Sequence, residues 1–358
     1  MHLSQLRLRD FRNYPRLDAA FGPGFHLFLG RNAQGKTNLL EAIYLLATLR
    51  SFRGVTSSQM IRHGQKGYFV GGEVVSVTHR EIKWYWSARE RKLSLDGQPI
   101  RRLTDFVGVF RAVVFCSEDV QLIKGPGSRR RRFLDLLLAQ TQPGYLATLQ
   151  RYTAALKARN ALLKQRTPDA AALESFGHEL VRSGEELMRS RQALIPRLAP
   201  IVASAHRKMA SAKEQLTLAY KPAVEGDFGQ ALKRSEARER ALRTTVAGPH
   251  RDELQLLIDG QPAAHFASEG QKRTLAIALK MAQAEFITTL VGTAPVLLID
   301  DIMGELDLHR RTGFMPLLQR TQASQSQVFM TCTEENWPSE MSRELNRWNV
   351  EGGGLRRA

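Results

Sequence analysis

The most informative part of this sequence is Gly30-Arg31-Asn32-Ala33-Gln34-Gly35-Lys36-Thr37, which has the P-loop pattern Gly, four residues, Gly-Lys-Thr. An apolar run at 25–29, predicted to be a buried strand, precedes it, and an apolar run at 38–49, predicted to be a helix, follows it. Glycines allow backbone N–H groups to wrap around phosphates, and the N-terminus of the helix adds a favourable dipole. The motif and its setting therefore predict a nucleotide-binding α/β domain.

The chemistry of P-loops assigns expected roles within this segment. Lys36 would reach the β- and γ-phosphates of ATP, and the Thr37 hydroxyl would ligate Mg²⁺. The residues expected to bind the nucleotide are those of the whole loop: Gly30, Arg31, Asn32, Ala33, Gln34, Gly35, Lys36 and Thr37.

An acidic element that matches the loop lies far along the chain, where the apolar run 296–299 ends in Asp300 and Asp301. A buried strand that ends this way delivers carboxylates to the carboxyl edge of a parallel sheet, where phosphates bind. Asp300 would hold Mg²⁺, directly or through water, and Asp301 would orient or deprotonate the attacking water. Solvated aspartates that merely end a strand are the alternative, which a P-loop in the same chain disfavours.

A third motif, Ser268-Glu269-Gly270-Gln271, precedes an apolar helix predicted for 274–286. Read alone, Ser268 is an N-cap residue. Thirty-two residues before Asp300, the motif resembles the Ser-x-Gly-Gln signature of ATP-binding-cassette ATPases, and the segment 304–307 resembles their D-loop. In that class the signature of one head contacts the γ-phosphate held by another head. The resemblance therefore implies that Ser268, Gly270 and Gln271 bind ATP, and that Ser268 assists catalysis, across a homodimer.

The net charge of the chain points to the class of its partner. The 358 residues include 52 Lys and Arg against 35 Asp and Glu, a net charge of +17, and 43% are hydrophobic, which excludes a disordered or fibrous chain. Such a surplus implies an acidic partner, nucleic acid before membrane lipid. The candidates for contact with DNA phosphates are Arg129, Arg130, Arg131, Arg132 and Arg159, with Lys208 and Lys213 as the alternative.

The middle of the chain, from about residue 121 to 215, is predicted to be helical and basic. Apolar stripes at 149–163 and 173–194 flank a turn at 167–169, a pattern that predicts an antiparallel helical hairpin. Each arm would be roughly 25–40 Å long. Pro196 and Pro200 are expected to bend or end the second arm.

These motifs predict an α/β fold, an ATP-binding-cassette type of P-loop ATPase head with an inserted short helical, coiled-coil-like lobe. Residues 1–120 would form the first half of the head, 121–215 the basic lobe, and 216–358 the second half. The two cysteines do not provide a disulfide framework or a zinc site. The N-terminus lacks the apolar region of a signal peptide, and no run approaches the 18 or so apolar residues that span a bilayer. We therefore expect a soluble cytoplasmic protein without a membrane partner.

Longer segments resemble the RecF family of bacterial recombination mediators. The resemblance covers about residues 3–335 and is carried by these segments: 6–14, 50–53, 130–135, 151–164, 248–253, 268–271 and 298–301. It implies a weak DNA-dependent ATPase that uses ATP and Mg²⁺, dimerises on ATP and resets by slow hydrolysis. Members act on single-stranded and gapped double-stranded DNA at duplex junctions, and associate with the nucleoid when bound. They work with RecO and RecR to help RecA replace single-strand-binding protein.

Several positions depart from the cassette pattern or have no assigned role. The run 328–333 lacks the histidine that often follows the D-loop in the cassette class, for which Thr331 or Thr333 is at best a substitute, and no glutamine marks an obvious Q-loop. Glu118 and Asp119 resemble an acidic pair of the RecF family, without a role that spacing reveals. His250 and Arg251 are either catalytic or part of a structural hydrogen-bond cluster.

Three other functions agree with parts of this sequence but not with all of it. A transporter's nucleotide-binding subunit is disfavoured by the charge and the basic hairpin. A structural chromosome protein of the SMC class needs arms of hundreds of residues, whereas this hairpin has about fifty. A scaffold that binds nucleotide without hydrolysing it is disfavoured by the presence of Lys36, Asp300 and Asp301.

Overall fold

The computed structural model describes residues 1–210, 214–323, 326–333 and 345–358, without the side chains of residues 305 and 321–323. It divides into two compact units. Unit 1 comprises residues 1–119 and 208–210 and the described residues of 277–358. Unit 2 comprises residues 120–207 and the described residues from 214 to 276.

The strands are, in chain order, β1 His2–Phe11, β2 Tyr14–Ala20, β3 Gly24–Leu29, β4 Gly67–Val75, β5 His79–Ser87, β6 Arg91–Leu95, β7 Gln98–Pro99, β8 Ala112–Cys116, β9 Leu216–Lys221, β10 Glu253–Ile258, β11 Gln261–Pro262, β12 Val296–Asp300, β13 Gln327–Cys332, β14 Leu345–Glu351 and β15 Gly354–Arg357.

The α-helices are α1 Lys36–Thr48, α2 Gln121–Lys124, α3 Gly127–Thr141, α4 Tyr145–Leu163, α5 Ala170–Arg207, α6 Phe228–Leu242, α7 Ala263–Phe266, α8 Glu269–Val291 and α9 Leu308–Ala323.

Unit 1 contains a mainly parallel sheet with the strand order β15-β14-β3-β13-β12-β8. β3, β8, β12 and β13 are nearly continuous apolar runs, as expected for parallel strands that are buried on both faces. The register pairs Asp300 with Thr331 of β13 on one side and with Cys116 of β8 on the other. The sheet therefore brings the ends of three strands from distant parts of the chain to one edge.

A second, antiparallel sheet in unit 1 has the order β2-β1-β4-β5-β6-β7. Helix α1 contacts strands of both sheets, so its apolar residues form the centre of one continuous core. Leu40 and Ile43 of α1, Leu6 of the antiparallel sheet and Leu298 of the parallel sheet are fully buried in it. The first residues of α1, which belong to the P-loop, are thus held by packing on two sides.

Unit 2 contains the predicted helical hairpin. Pairs between α4 and α5 run in opposite order along the two helices: Thr148 bonds to Glu186, and Arg151 pairs with Glu179, so the helices are antiparallel. With 19 and 38 residues, α4 and α5 are about 28 and 57 Å long, so the second arm exceeds its predicted length.

Of the two effects expected of the prolines, bending or ending the second arm, the structure excludes the second. Pro196 and Pro200 both lie inside α5, which continues to Arg207. Each proline removes one backbone hydrogen bond, but Leu194, Leu198 and Val202 on the same helix are buried. We conclude that tertiary packing of this apolar stripe offsets the lost hydrogen bonds.

The boundary predicted at residue 216 also differs from the structure, which assigns residues 214–276 to unit 2 and the chain from Ile277 onward to unit 1. The reason is a buried charge network. The Asp252 carboxylate, fully buried before β10, accepts hydrogen bonds from Arg191 Nη1 of α5 at 3.0 Å, from the backbone N–H of Ala223 at 2.8 Å and from the Tyr220 hydroxyl. Strands β9 and β10 are thereby bound to the helices of the lobe.

Helix α8 corrects the expectation that no segment is apolar enough to cross a bilayer. By length and composition alone α8 could cross a bilayer, because it has 23 residues and its most apolar window has a mean hydropathy of 1.3. However, 72% of that window is buried inside the protein, as in a core helix.

The Asp252 network predicts a large effect of a nearly isosteric change. Asp252→Asn leaves the buried guanidinium of Arg191 with a weaker partner, since Asp135 alone would neutralise it. We expect the free energy of unfolding to fall by about 1–3 kcal/mol, the range for weakened hydrogen bonds to a buried charged group that keeps one ionic partner. Urea unfolding followed by circular dichroism measures this loss. Glu225→Gln, an exposed change in the same unit, should alter stability by less than about 0.5 kcal/mol and serves as the control. Equal stabilities of the two variants would contradict the prediction.

Candidate nucleotide-binding site

The P-loop connects the end of β3 to the start of α1 and has the backbone geometry that the motif requires. Gly30 and Gly35 have φ of +155° and +115°, and Ala33 is left-handed with φ of +64°. A Cβ atom at Gly35 would lie 2.6 Å from the Asn13 amide nitrogen and 2.8 Å from the Tyr14 hydroxyl, and one at Gly30 would clash with the carbonyl oxygen of Val350. Both positions therefore require glycine.

Side chains from the turn between β1 and β2 hold the loop. Asn13 Nδ2 donates to the carbonyl of Gln34 at 2.8 Å, and the Tyr14 hydroxyl donates to the carbonyl of Gly35 at 3.0 Å. In a trans peptide the N–H points opposite to the C=O. The N–H groups of Gly35 and Lys36 consequently point away from the turn, the orientation in which backbone amides receive phosphate oxygens.

The turn is itself fixed to α1 by a buried ion pair. Arg12, with φ of +54°, donates from Nε and Nη2 to the two carboxylate oxygens of Glu41 at 2.7 and 2.8 Å. Glu41 is fully buried in α1. At the other side of the loop, Gln34 Oε1 accepts a hydrogen bond from the Gly352 N–H at 2.8 Å. Three separate segments thus pre-organise the loop.

Sequence reasoning did not assign Asn13 and Tyr14 to the site. The available signal was an asparagine in a tight turn between two apolar, alternating segments near the N-terminus, which indicates a turn but not what it contacts.

Lys36 lies where the motif predicts it, 7% exposed at the start of α1. Its Nζ donates to the carbonyl oxygens of Gly30 at 2.5 Å and Arg31 at 3.0 Å. The side chain therefore reaches from the end of the loop back to its first two residues. Burial lowers the pKa of Lys36, and the negative charges of Asp301 and Asp300 oppose this effect. A phosphate chain inside the loop would add favourable negative charge beside this buried ammonium.

Asp300 lies opposite the loop at the end of β12. Its Oδ1 atom accepts hydrogen bonds from Thr37 Oγ1 at 2.9 Å and from Thr331 Oγ1 at 2.8 Å. Burial raises the pKa of Asp300; the two hydroxyl donors oppose the rise, and the charges of Glu118 and Asp301 add to it. The structure therefore brings together both residues predicted to hold the metal, and it adds Thr331, which the sequence offered only as a substitute for histidine.

These oxygen donors fit Mg²⁺. A hydroxyl and a carboxylate 2.9 Å apart are hard ligands, and Mg²⁺ in phosphate sites usually takes only one or two protein carboxylates beside water and phosphate oxygens. The described residues contain no group of three or more His, Cys, Asp and Glu side chains suited to a metal.

The remaining acidic residues at this edge have different environments. Asp301 is exposed and left-handed, with φ of +54°, where the chain leaves β12. The Asp119 carboxylate accepts the Cys116 N–H at 2.9 Å and lies 3.8 Å from Lys280 Nζ, so it stabilises the turn after β8. Burial raises the pKa of Asp119, whereas Lys280 lowers it. Glu118 is exposed within this turn, and its negative charge raises the pKa of Asp300.

The signature-like segment belongs to unit 2 and forms an N-terminal cap of α8. Ser268 Oγ accepts the Gln271 N–H at 3.2 Å, and Gln271 Oε1 accepts the Ser268 N–H at 2.8 Å, which together make a capping box. Ser268 is exposed, whereas Gly270 and Gln271 are half-buried. The local structure explains Ser268 as an N-cap, and the contact of these three residues with a second ATP stays a prediction.

Most of the arginines predicted to contact DNA have partners inside unit 2. Arg130 forms a two-pronged ion pair with Glu253, Arg131 donates to the Asp252 carbonyl at 2.6 Å, and Arg159 is buried against Glu239 at 2.7 Å. Arg130 and Arg131 are half-buried and Arg159 is buried, so their charges already have partners within the fold, and their contact with DNA stays a prediction. Arg129 and Arg132 are exposed, Lys208 is half-buried, and Lys213 lies outside the described residues.

His250 also has a structural environment. Its Nε2 donates to the Thr245 carbonyl at 3.1 Å, and its Nδ1 accepts from the Tyr152 hydroxyl at 2.5 Å. Burial lowers the pKa of His250, which favours this neutral form. Both ring nitrogens are occupied, so the structural alternative describes this histidine.

Comparison with known proteins shows the family. The family model of the RecF/RecN/SMC N-terminal domain matches residues 2–353. The DNA replication and repair protein RecF of Symbiobacterium thermophilum is 38% identical over 360 residues, which cover 95% of each chain. The protein of the same name from Streptococcus equi subsp. zooepidemicus is 35% identical over 365 residues, covering 99% of this chain and 98% of its own.

Solved structures agree with this result. The structure of the recombination mediator protein RecF-ATP in the RecFOR pathway has a TM-score of 0.90 at 28% identity, covering 99% of this chain and 97% of that one. The Smc head domain from Pyrococcus furiosus, at 16% identity and a TM-score of 0.57, covers 100% of this chain and 96% of that one and shows a shared fold alone. The predicted fold class, a cassette-type ATPase head with an inserted helical lobe, is confirmed. Its sequence and its fold together show that the chain belongs to the RecF family.

Proposed function

We propose that this protein is an ATP-dependent, DNA-binding recombination mediator that acts in DNA repair and replication restart. The observation that carries the proposal is the convergence of Lys36, Thr37 and Asp300 at one edge of the parallel sheet. Its relatives are named for DNA replication and repair, and a similar structure holds ATP. We infer that ATP and Mg²⁺ are the cofactors and that the chain is a weak ATPase stimulated by DNA.

In this proposal each residue of the nucleotide-binding site has a separate role in ATP hydrolysis. The backbone N–H groups of residues 30–37 and the Lys36 ammonium hold the phosphates, while Thr37 and Asp300 hold Mg²⁺. When bound, Mg²⁺ neutralises charge that develops on the phosphate oxygens. Thr331 keeps the Asp300 carboxylate in position through its hydrogen bond. Asp301, exposed at the same edge, orients or deprotonates the attacking water.

Partners and location follow from the family. A similar structure is described as part of the RecFOR pathway, so RecO and RecR are the expected protein partners, with RecA and single-strand-binding protein as indirect ones. Single-strand gaps and junctions between duplex and single strand are the expected DNA sites. The net charge of +17 supports binding to DNA, and we place the protein in the cytoplasm, at the nucleoid when bound.

Two chains are needed for a complete site in this proposal. A P-loop leaves one side of the γ-phosphate open, and Ser268, Gly270 and Gln271 of a second copy would cover it. A two-fold dimer would then hold two ATP molecules, and hydrolysis would release it. The exposure of Ser268 at the start of α8 supports this arrangement.

The first prediction tests the phosphate and metal residues. Lys36→Ala removes the ammonium group and should lower ATP affinity at least about tenfold, the loss expected for a charge-assisted hydrogen bond of roughly 1.5 kcal/mol or more. Asp300→Asn should reduce Mg²⁺-dependent hydrolysis far more than ATP binding. Titration with a fluorescent ATP analogue and a phosphate-release assay separate the two effects. Binding and hydrolysis by Lys36→Ala at the parent level would refute the site.

The second prediction concerns Thr331. Thr331→Val keeps the shape and removes the donor to Asp300, so the Mg²⁺ concentration for half-maximal hydrolysis should rise several-fold, as for a hydrogen bond worth about 1–2 kcal/mol. Thr331→Ser should restore the parent value, and the exposed Thr333→Val is the matched control. An unchanged Mg²⁺ dependence in Thr331→Val would exclude the positioning role.

The third prediction tests dimerisation. Asp301→Asn should bind ATP, hydrolyse it poorly and sediment as a dimer when ATP is present. Adding Ser268→Arg should preserve ATP binding by the monomer but abolish the dimer, because a large side chain would occupy the place of the second phosphate contact.

Analytical ultracentrifugation with and without ATP measures the assembly. The control is Ser268→Ala, which costs about 1 kcal/mol of helix capping without adding bulk. A dimer that persists with Ser268→Arg, or the absence of any dimer in Asp301→Asn with ATP, would overturn the two-site arrangement.

A further inference from the structure

Positive charge is concentrated in two short stretches of unit 2. Residues 157–166 and 233–243 together contain nine Lys and Arg against two Glu, so they supply +7 of the net +17 of the whole chain. The first stretch is the end of α4 with the turn after it, and the second is the later part of α6 with the residue after it. We name these two stretches the α4–α6 tip.

A buried junction fixes the two parts of the tip to each other. Arg159 Nη2 lies 2.7 Å from Glu239 Oε2, and both side chains are almost fully buried. The second oxygen of Glu239 accepts the Val246 N–H at 2.8 Å, and Thr245 donates its N–H to Asn160 Oδ1 at 2.7 Å. The carboxyl end of α6 is therefore held against the carboxyl end of α4 by charged and neutral hydrogen bonds.

The cations around this junction face solvent. Along the sequence, each of these cations is within about one helical turn of a residue of the junction or of another of these cations. None of these six forms an ion pair within the part of the chain that the structure describes, and the exposed Glu236 of the tip is already paired with Arg240 at 2.7 Å. These six exposed cations are Lys157, Lys164, Arg166, Arg234, Arg238 and Arg243, and Lys233 is a seventh exposed cation of the tip.

This combination suits the backbone of a nucleic acid. When unpaired cations bind phosphates, counterions condensed on the nucleic acid are released, and this release favours binding. Because the scaffold beneath these cations is rigid, the protein backbone loses little conformational freedom on binding. The apolar groups that would insert into a lipid surface are scarce here, since Leu242 is the large exposed hydrophobic residue of the tip. Arg159, which the sequence offered as a DNA contact, instead builds the support beneath these cations.

We propose that the α4–α6 tip is a surface on which this protein binds the phosphate backbone of DNA. The proposal rests on the DNA-binding function proposed above and assigns a surface to it. Because the contacts are to phosphates, binding at the tip has no sequence preference and depends steeply on salt.

Two double variants test the tip, one for each helix: Lys157→Gln with Lys164→Gln, and Arg234→Gln with Arg238→Gln. Arg101→Gln with Arg102→Gln removes two exposed cations from unit 1 and is the control of equal charge. Fluorescence anisotropy with a gapped duplex, over a series of salt concentrations, gives the affinity and its salt dependence.

Each tip variant should bind the gapped duplex about tenfold more weakly than the parent at moderate salt, and the slope of log K against log salt should fall by roughly 1 to 2. The control should stay within about twofold of the parent. Parent-like circular dichroism and urea unfolding in every variant show that the fold is intact.

Parent-like affinity and slope in both tip variants would overturn the tip while leaving the proposed function in place. An equal loss in the control would also overturn it, because net charge alone would then explain binding. Failure of the parent to bind DNA at low salt would instead refute the proposed function. If the tip variants instead bound DNA like the parent but no longer bound an acidic protein partner, the tip would be a surface for that partner and the proposal would be overturned.

Discussion

The hydrogen bond between Thr37 and Asp300 joins residues that are 263 positions apart in the chain, and the architecture of unit 1 serves to make it. One partner begins the helix that follows the P-loop, and the other ends the strand β12. Their meeting requires β3 and β12 to be parallel strands of one sheet, with β13 between them, so that both deliver their carboxyl ends to the same edge. The core around α1 then fixes the distance between the loop and the carboxylate.

The loop does not depend on its own sequence alone for its shape. Asn13 and Tyr14 bind its carbonyls, Arg12 ties their turn to Glu41 in α1, and Gln34 binds the chain near the C-terminus. Each contact fixes a backbone group before any ligand arrives, which reduces the ordering entropy that binding would otherwise cost. A rigid anion site at one end of a helix thus results from contributions of that helix and of two segments far away in the chain.

Unit 2 uses its charge in two ways. Arg130, Arg131, Arg159 and Arg191 are buried or half-buried and bind carboxylates or carbonyls. Arg130 and Arg131 join α3 to the start of β10, Arg191 joins α5 to Asp252 before β10, and Arg159 joins α4 to α6. A guanidinium can satisfy several acceptors at once in a fixed plane, so arginine suits such junctions better than lysine does. Other cations stay on the surface, and one group of them, the α4–α6 tip, surrounds the Arg159–Glu239 junction. The basic composition of unit 2 therefore includes a structural contribution and, in our proposal, a binding one.

Local patterns in the sequence were enough to predict the P-loop, the strand that ends in Asp300, the Ser268 cap, the helical hairpin and the family, because each depends on residue types within a few positions of one another. Tertiary structure alone decided which arginines are buried, that α5 continues through Pro196 and Pro200, and that residues 214–276 belong with the lobe. It also brought Asn13 to the loop and Thr331 to Asp300. The physical reason is that burial, and the partner of a buried charge, are set by segments far away in the chain, whose packing energies outweigh local preference.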